Sequence, residues 1–273
     1  MSSNLLDSQI KDILQTVLED DQDEVLIVNP SGETIEELID VVNEIDEADR
    51  ATVNVLANEG VLKAVMGDFI VASNAADLID ADVLSLRTLG DEPENSLLVT
   101  PGIVIALVSI DDAVAGLTTD DDSFVETAYE TYRSRWSDAE AYKLRTPPLS
   151  RVRNTLRTDI GDAAEADFDA VLGSLQTARG DGDGLDEVTI SLLVAAKNDA
   201  LLYDISKWGE DVGIASKATF SRTKTRLEDM GIIDTEKVPI DVGRPRLRLK
   251  LGDERLRGAS SDELANVAMS ILN

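Results

Sequence analysis

The residues best placed to do chemistry in this chain are cations gathered near its end. From Ala215 to Lys250 the basic residues are Lys217, Arg222, Lys224, Arg226, Lys237, Arg244, Arg246, Arg248 and Lys250. The acidic ones are Glu228, Asp229, Asp234, Glu236 and Asp241, so the segment carries +4 in a chain of formal charge −29. A positive face kept inside so acidic a chain points to a polyanion, and phosphate is the obvious one. Ser216, Thr219, Phe220 and Ser221 are interleaved with the first of these cations. Small polar and cationic side chains are what base edges and phosphate oxygens in a duplex accept or donate to.

Other chemistry is narrowed by what the composition lacks. There is no cysteine and no histidine in 273 residues. That removes disulfides, thiol chemistry, His or Cys metal sites and histidine general bases. No glycine-rich phosphate loop is present. A Lys, Tyr or carboxylate enzyme is left open by this composition; the expectation is no catalytic residue, no metal and no cofactor. No long apolar run or signal peptide is found, so a cytoplasmic protein away from the membrane is expected.

The acids number 54 against 25 Lys and Arg, with 43% hydrophobic residues. Disorder conflicts with the apolar content and its periodicity. An acidic tail conflicts with the even spread of the acids. A surface adapted to molar salt fits, because self-repulsion is screened when the Debye length falls to about 3 Å. The acidity then describes the solvent rather than a partner.

The cations need elements to hold them, and the sequence supplies a winged helix-turn-helix. Glu187–Ala196 reads as a first helix and Asp204–Glu210 as the first helix of the motif. Asp211–Ala215 is the turn, with Gly213 suited to a positive φ. Ser216 is an N-cap for a helix over Lys217–Met230, which Gly231 ends. That helix is expected to bury Ala218, Thr223, Leu227, Met230 and part of Phe220, with Lys217, Thr219, Ser221, Arg222, Lys224 and Thr225 on the other face. Ile232–Val238 and Arg246–Leu251 pair as wing strands, with Leu247, Leu249 and Leu251 inward and Arg246, Arg248 and Lys250 outward. The expected DNA-binding residues are Ser216, Lys217, Thr219, Phe220, Ser221, Arg222, Lys224 and Arg226 on the helix. Gly243, Arg244, Arg246 and Arg248 are expected on the wing. Winged helices also serve as protein-protein modules; the two arginines of the Gly243–Arg246 tip favour DNA.

Ahead of this motif the pattern is α/β. Leu5–Leu18, Thr34–Ile45, a helix from Glu59 to Phe69 and a short turn at Ala75–Ile79 alternate with strands at Glu24–Asn29, Thr52–Ala57 and Val83–Leu89. Thr34 and Glu37 fit a capping box. Ser96–Thr100 and Ile103–Ile110 read as a hairpin, Asp111–Asp122 as a polar connection, and Phe124–Tyr142 as a long helix. The expectation is a parallel or mixed sheet flanked by helices over 1–145, a helical linker and hinge over 146–184, a winged-helix domain over 185–257 and a short helix over 258–273.

Weaker features favour plain structural roles. The aromatic helix with Phe124, Tyr129, Tyr132, Trp136 and Tyr142 is a core or dimer helix before it is a ligand lid. Arg133 and Arg135 pair with neighbouring carboxylates as readily as with an anion. The Asn29–Thr34 loop sits where open α/β sheets bind anions, but Glu33, Glu36 and Glu37 would repel one. Asp181, Asp183 and Asp186 mimic the start of a calcium loop without its distal Glu. Arg145, Arg151, Arg153 and Arg157 form a basic stretch that reads equally as a solvated helix face.

Through GIASKATFSRTKTRLEDMGII and GRPRLRLKL the chain resembles the winged-helix regulators of archaea, and over most of its length the haloarchaeal TbsP-like regulators. The resemblance implies a sequence-specific DNA-binding regulator of transcription, acting in central carbon metabolism. Double-stranded DNA is the expected partner. A homodimer is expected because one winged helix reads few base pairs, with the aromatic helix and the helices at 149–175 supplying surface. A small-molecule effector of the amino-terminal domain is the further expectation. The alternatives are an enzyme or ligand-binding α/β domain with a regulatory winged helix, and a DNA-free protein-protein adaptor.

Overall fold

The computed structural model describes residues 9–19, 23–90, 95–110, 113–179, 185–239 and 245–272. The chain divides into two compact units, Met1–Gly67 with Asn74–Leu144, and Asp68–Ser73 with Arg145–Asn273.

The first unit alternates α1 (Ile10–Leu18), β1 (Glu24–Val28), α2 (Gly32–Glu44), β2 (Thr52–Asn58), α3 (Glu59–Val65), α4 (Phe69–Asp80) and β3 (Leu84–Leu89). Then come β4 (Leu97–Val99), β5 (Val104–Ile110), β6 (Ala113–Thr119) and α5 (Asp122–Asp138). The first turn of α4 falls in the second unit. The strands form one mixed sheet in the order β3-β2-β1-β4-β5-β6. β1, β2 and β3 run parallel, as their helical crossovers require, and β4, β5 and β6 add antiparallel. Strands buried on both faces read as continuous apolar runs, and Val25 to Val28 and Val53 to Ala57 are such runs, broken only by Asn54, which donates to Glu24 at 2.6 Å.

Several boundaries differ from the sequence reading. The segment read as a polar connection holds strand β6, whose residues Ala113–Thr119 pair along all of β5. Its Ala, Gly and Thr carry little apolar signal, and the pairing comes from the neighbouring strand rather than from local propensity. The short turn at Ala75–Ile79 belongs to the 12-residue helix α4. Its buried face is built from Ala72, Ser73, Ala75, Ala76 and Leu78, small residues that blur a helical period. The N-cap of α2 is Ser31, whose hydroxyl accepts from Thr34 N at 3.1 Å, not Thr34 itself. Helix α5 stops at Asp138 because the Arg87 guanidinium donates to the carbonyls of Trp136, Ser137 and Ala139. Ala141 then bridges to Arg87 beside β3.

The second unit contains α6 (Leu149–Asp159), α7 (Asp162–Gly173), α8 (Glu187–Lys197), α9 (Leu202–Val212), α10 (Lys217–Asp229), β7 (Ile233–Val238), β8 (Arg246–Leu251), α11 (Glu254–Gly258) and α12 (Ser261–Leu272). The stretch read as a linker is packed: Val152, Leu156, Phe168 and Val171 share one buried cluster with Leu192, Trp208, Phe220 and Leu249. These apolar side chains are therefore part of the core of this unit. Trp208 Nε1 donates to Thr155 Oγ1 at 2.9 Å, tying α9 to α6. Of the hinge, Arg179 pairs with the buried carboxylate of Asp68 at 3.3 Å; residues 180–184, with Asp181 and Asp183, lie outside the described residues. Asp186 caps α8 by accepting from Thr189 N at 2.6 Å, which is the plain structural role. Among the described residues no helix is long and apolar enough to cross a membrane.

Candidate nucleic-acid interface

Helices α8, α9 and α10 with the β7–β8 hairpin form a winged helix-turn-helix. Gly213 (φ 98°) ends α9 in the left-handed region that glycine enters without a Cβ penalty. Ser216 Oγ then accepts from Thr219 N at 3.2 Å and starts α10. Strands β7 and β8 pair from Ile233↔Leu251 to Val238↔Arg246. Leu201 bridges to Arg248 and Leu249 N donates to Ala200 O at 2.9 Å, which ties the segment ahead of α9 to β8.

The solvent face of α10 carries Lys217, Ala218, Ser221, Arg222, Thr225 and Arg226. Ala218, read as buried, is exposed, as is Met230. Phe220 is fully buried, and its ring cannot meet a base edge. Lys224 is 9% exposed and donates to Glu228 at 2.7 Å. Both residues were expected on the DNA face; the turn of α10 aims them at β7 and α9 instead. Ser216 and Thr219 sit at the helix start with their hydroxyls 3.1 Å apart, engaged in the cap.

Charge pairing divides the cations further. Lys217 Nζ lies 2.6 Å from Glu210, whose hydrogen bond raises the ammonium above the ordinary lysine range and draws the Glu210 carboxyl below its own. On the wing, Arg246 lies 4.3 Å over the Tyr203 ring and 3.3 Å from Asp204. Lys250 pairs with Asp199 and Glu236 at 3.3 and 3.6 Å. Arg222 and Arg226 differ: among the described residues neither has a carboxylate partner. Arg222 donates to Thr219 Oγ1 at 3.4 Å and Arg226 to Thr189 Oγ1 at 3.3 Å. Arg248 has a buried Nε without a hydrogen bond among the described residues. Gly243 and Arg244 lie outside the described residues.

The structure thus gathers Lys217, Ser221, Arg222 and Arg226 on one exposed helix face. It removes Phe220 and Lys224 from that face. Sequence reasoning missed Tyr203, an exposed aromatic at the start of α9 stacked on a wing arginine. An aromatic just ahead of an apolar-periodic helix was the available signal. The arrangement can donate hydrogen bonds and positive charge to a polyanion from the first two turns of α10, with Asp229 closing the far end of the helix to one.

Comparison with protein families gives two matches that cover most of the chain. Residues 2–147 match the family described as transcriptional regulator TbsP-like, N-terminal. Residues 148–269 match transcriptional regulator TbsP-like, C-terminal HTH domain. A comparison with curated proteins found no match. Among solved structures, the chain is similar to TrmBL2, an archaeal chromatin protein whose structure shows a novel mode of DNA binding. The TM-score is 0.38 at 18% identity, over 52% of this chain and 54% of that one. The similarity therefore spans about half of TrmBL2.

Proposed function

The chain belongs to the TbsP-like transcriptional regulators, and from that premise we propose that it binds double-stranded DNA in a sequence-specific way through α10 and the wing. The first two turns of α10 enter the major groove. Arg222 reads a base there, Ser221 and Thr225 lie beside it, and Arg226, Arg248 and the Tyr203-stacked Arg246 meet the backbone. One observation carries this reading. In a chain with 54 acids, Arg222 and Arg226 are exposed on one helix face with no carboxylate partner among the described residues. An acidic surface that merely solvates its cations would pair them, as it does Lys217 and Lys250.

The same reading makes the protein a homodimeric, cytoplasmic regulator working in near-molar salt, with the α/β unit serving dimerisation and effector sensing. Genes of central carbon metabolism are the targets that the family resemblance suggests. The test is a gel shift with genomic fragments in near-molar potassium chloride, with genome-wide immunoprecipitation to supply the fragments. Retarded bands lost in R222A support the reading. Binding to no fragment, with a protein captured instead, supports an adaptor.

A further inference from the structure

We propose that the outer half of the amino-terminal sheet, strands β5 and β6, is the surface on which a second copy of this chain docks. The proposal rests on the dimeric reading above and names the surface for it.

The first observation is an open sheet face. The β5–β6 register sets Val104 opposite Thr119, Ala106 opposite Leu117, Val108 opposite Ala115 and Ile110 opposite Ala113. Alternate residues of a strand share a face, and Val104 packs with Val125 of α5. Ala106, Val108, Ile110, Ala115 and Leu117 therefore lie on the α5 side of the sheet. Helix α5 packs over β1, β2 and β4, and beyond it, among the described residues, three apolar side chains of this face stand open: Val108 is 41%, Leu117 48% and Ile110 69% exposed. On the opposite face Ile105 and Gly116 are buried, and α1 packs against β6.

The second observation is the edge itself. β6 stands last in the sheet order, so among the described residues one side of its backbone has no neighbouring strand. Edge strands of soluble proteins are usually blunted by charges, proline, a bulge or a covering element. β6 reads AVAGLTT, with no charge and no proline.

Charge selects the occupant. β5 (VIALVSI) and β6 contain no ionisable side chain, in a chain that is 29% charged with a net charge of −29. Two such chains repel wherever their acids face one another. On this strip neither copy brings a charge, so apolar contact and strand pairing are unopposed. A basic partner finds no carboxylate to pair with here. A copy of the same chain offers the identical apolar strip and an antiparallel edge, which is what a two-fold interface requires.

The test uses the full chain in near-molar potassium chloride. Light scattering should give twice the 29.5 kDa chain mass for the unaltered protein and the single-chain mass for the double variant I110D/L117D. Both side chains are exposed in the single chain, so far-UV dichroism should show the fold retained, while the unfolding midpoint should lose its dependence on protein concentration. A second measurement exploits the absence of cysteine. L117C should be captured as a dimer by a short bismaleimide, and E47C, in an exposed turn, should not. A monomeric unaltered protein overturns the proposal. So does a dimer that survives I110D/L117D and cross-links equally at both positions. DNA binding is read separately by gel shift: a monomer that binds DNA overturns this interface alone, and a dimer disrupted by I110D/L117D that binds no DNA supports the interface and overturns the DNA reading alone.

Discussion

Gly209 of α9 and Phe220 of α10 meet so closely that a methyl group on Gly209 would stand 2.3 Å from two carbons of the Phe220 ring. The ring lies on bare helix backbone, and this contact sets how α10 crosses α9. It also explains why Phe220 is a core residue although polar neighbours flank it in sequence. The substitution G209A must move the ring or the helix, and overpacking of this kind costs about 1–3 kcal/mol. Urea unfolding should show the midpoint fall, with DNA affinity falling alongside because α10 is reoriented. An unchanged midpoint would sink this account of the crossing.

Glu210 withholds Lys217 from solvent anions through their 2.6 Å pair. E210Q removes a negative charge beside the interface and releases the ammonium. DNA affinity at fixed salt should rise modestly, as for any exposed pair. Fluorescence anisotropy with one duplex is the measurement, and an affinity that does not rise in E210Q would place Lys217 outside the interface.

R222A should lose about 1–3 kcal/mol on the preferred duplex and relax the preference at one base pair. R226A, proposed to meet the backbone, should weaken all duplexes about equally. Binding to a library of single-base variants separates the two, and identical profiles would refute the division of labour.

The Glu228 carboxyl is held below the usual range, first by its hydrogen bond from Lys224 and then by that from Thr235. A depressed folded value means that the stabilisation is present above the ordinary carboxyl range and lost as pH falls through the depressed value. E228Q should therefore be less stable than the parent near neutrality, by roughly 0.5–1 kcal/mol for a partly exposed pair. The gap should begin to narrow as pH falls below the ordinary carboxyl value of about 4.3 and close only below the depressed one. A gap that widens in acid would contradict the assignment.

Salt should act on the fold and on DNA binding in opposite directions. Screening of the −29 body should raise the unfolding midpoint as potassium chloride climbs from about 0.2 to about 2 M. Counterion release weakens DNA binding by a log-log slope of about −0.9 per phosphate contact. Lys217 and Lys250 already carry carboxylates, so few contacts remain and the slope should be shallow. A midpoint that falls with salt, or binding confined to dilute buffer, would count against the halophilic reading.

Much of this protein was determined by sequence alone. The left-handed Gly213, the Ser216 cap and the alternation of cations with leucines over Arg246–Leu251 are local signals, and each fixes backbone or strand face within a few residues. They gave the winged helix-turn-helix its place. The apolar runs at Val25–Val28 and Val53–Ala57 did the same for the parallel strands, because strands covered on both faces have no polar side to show. What tertiary structure decided depended on partners distant in sequence. β6 is a strand because β5 offers it a register, not because AVAGLTT demands one. The helices at 149–173 are core because Trp208 and Phe220 pack on the same cluster. The candidate site divides along the same line. The sequence listed the cations, but only the fold set Glu210 against Lys217 and Glu228 against Lys224. It left Arg222 and Arg226 beside hydroxyls, and it brought Tyr203 under Arg246 from a helix more than forty residues away. A charge count adds residues without asking what each one touches; pairing at a few ångströms decides which cations remain to meet a phosphate.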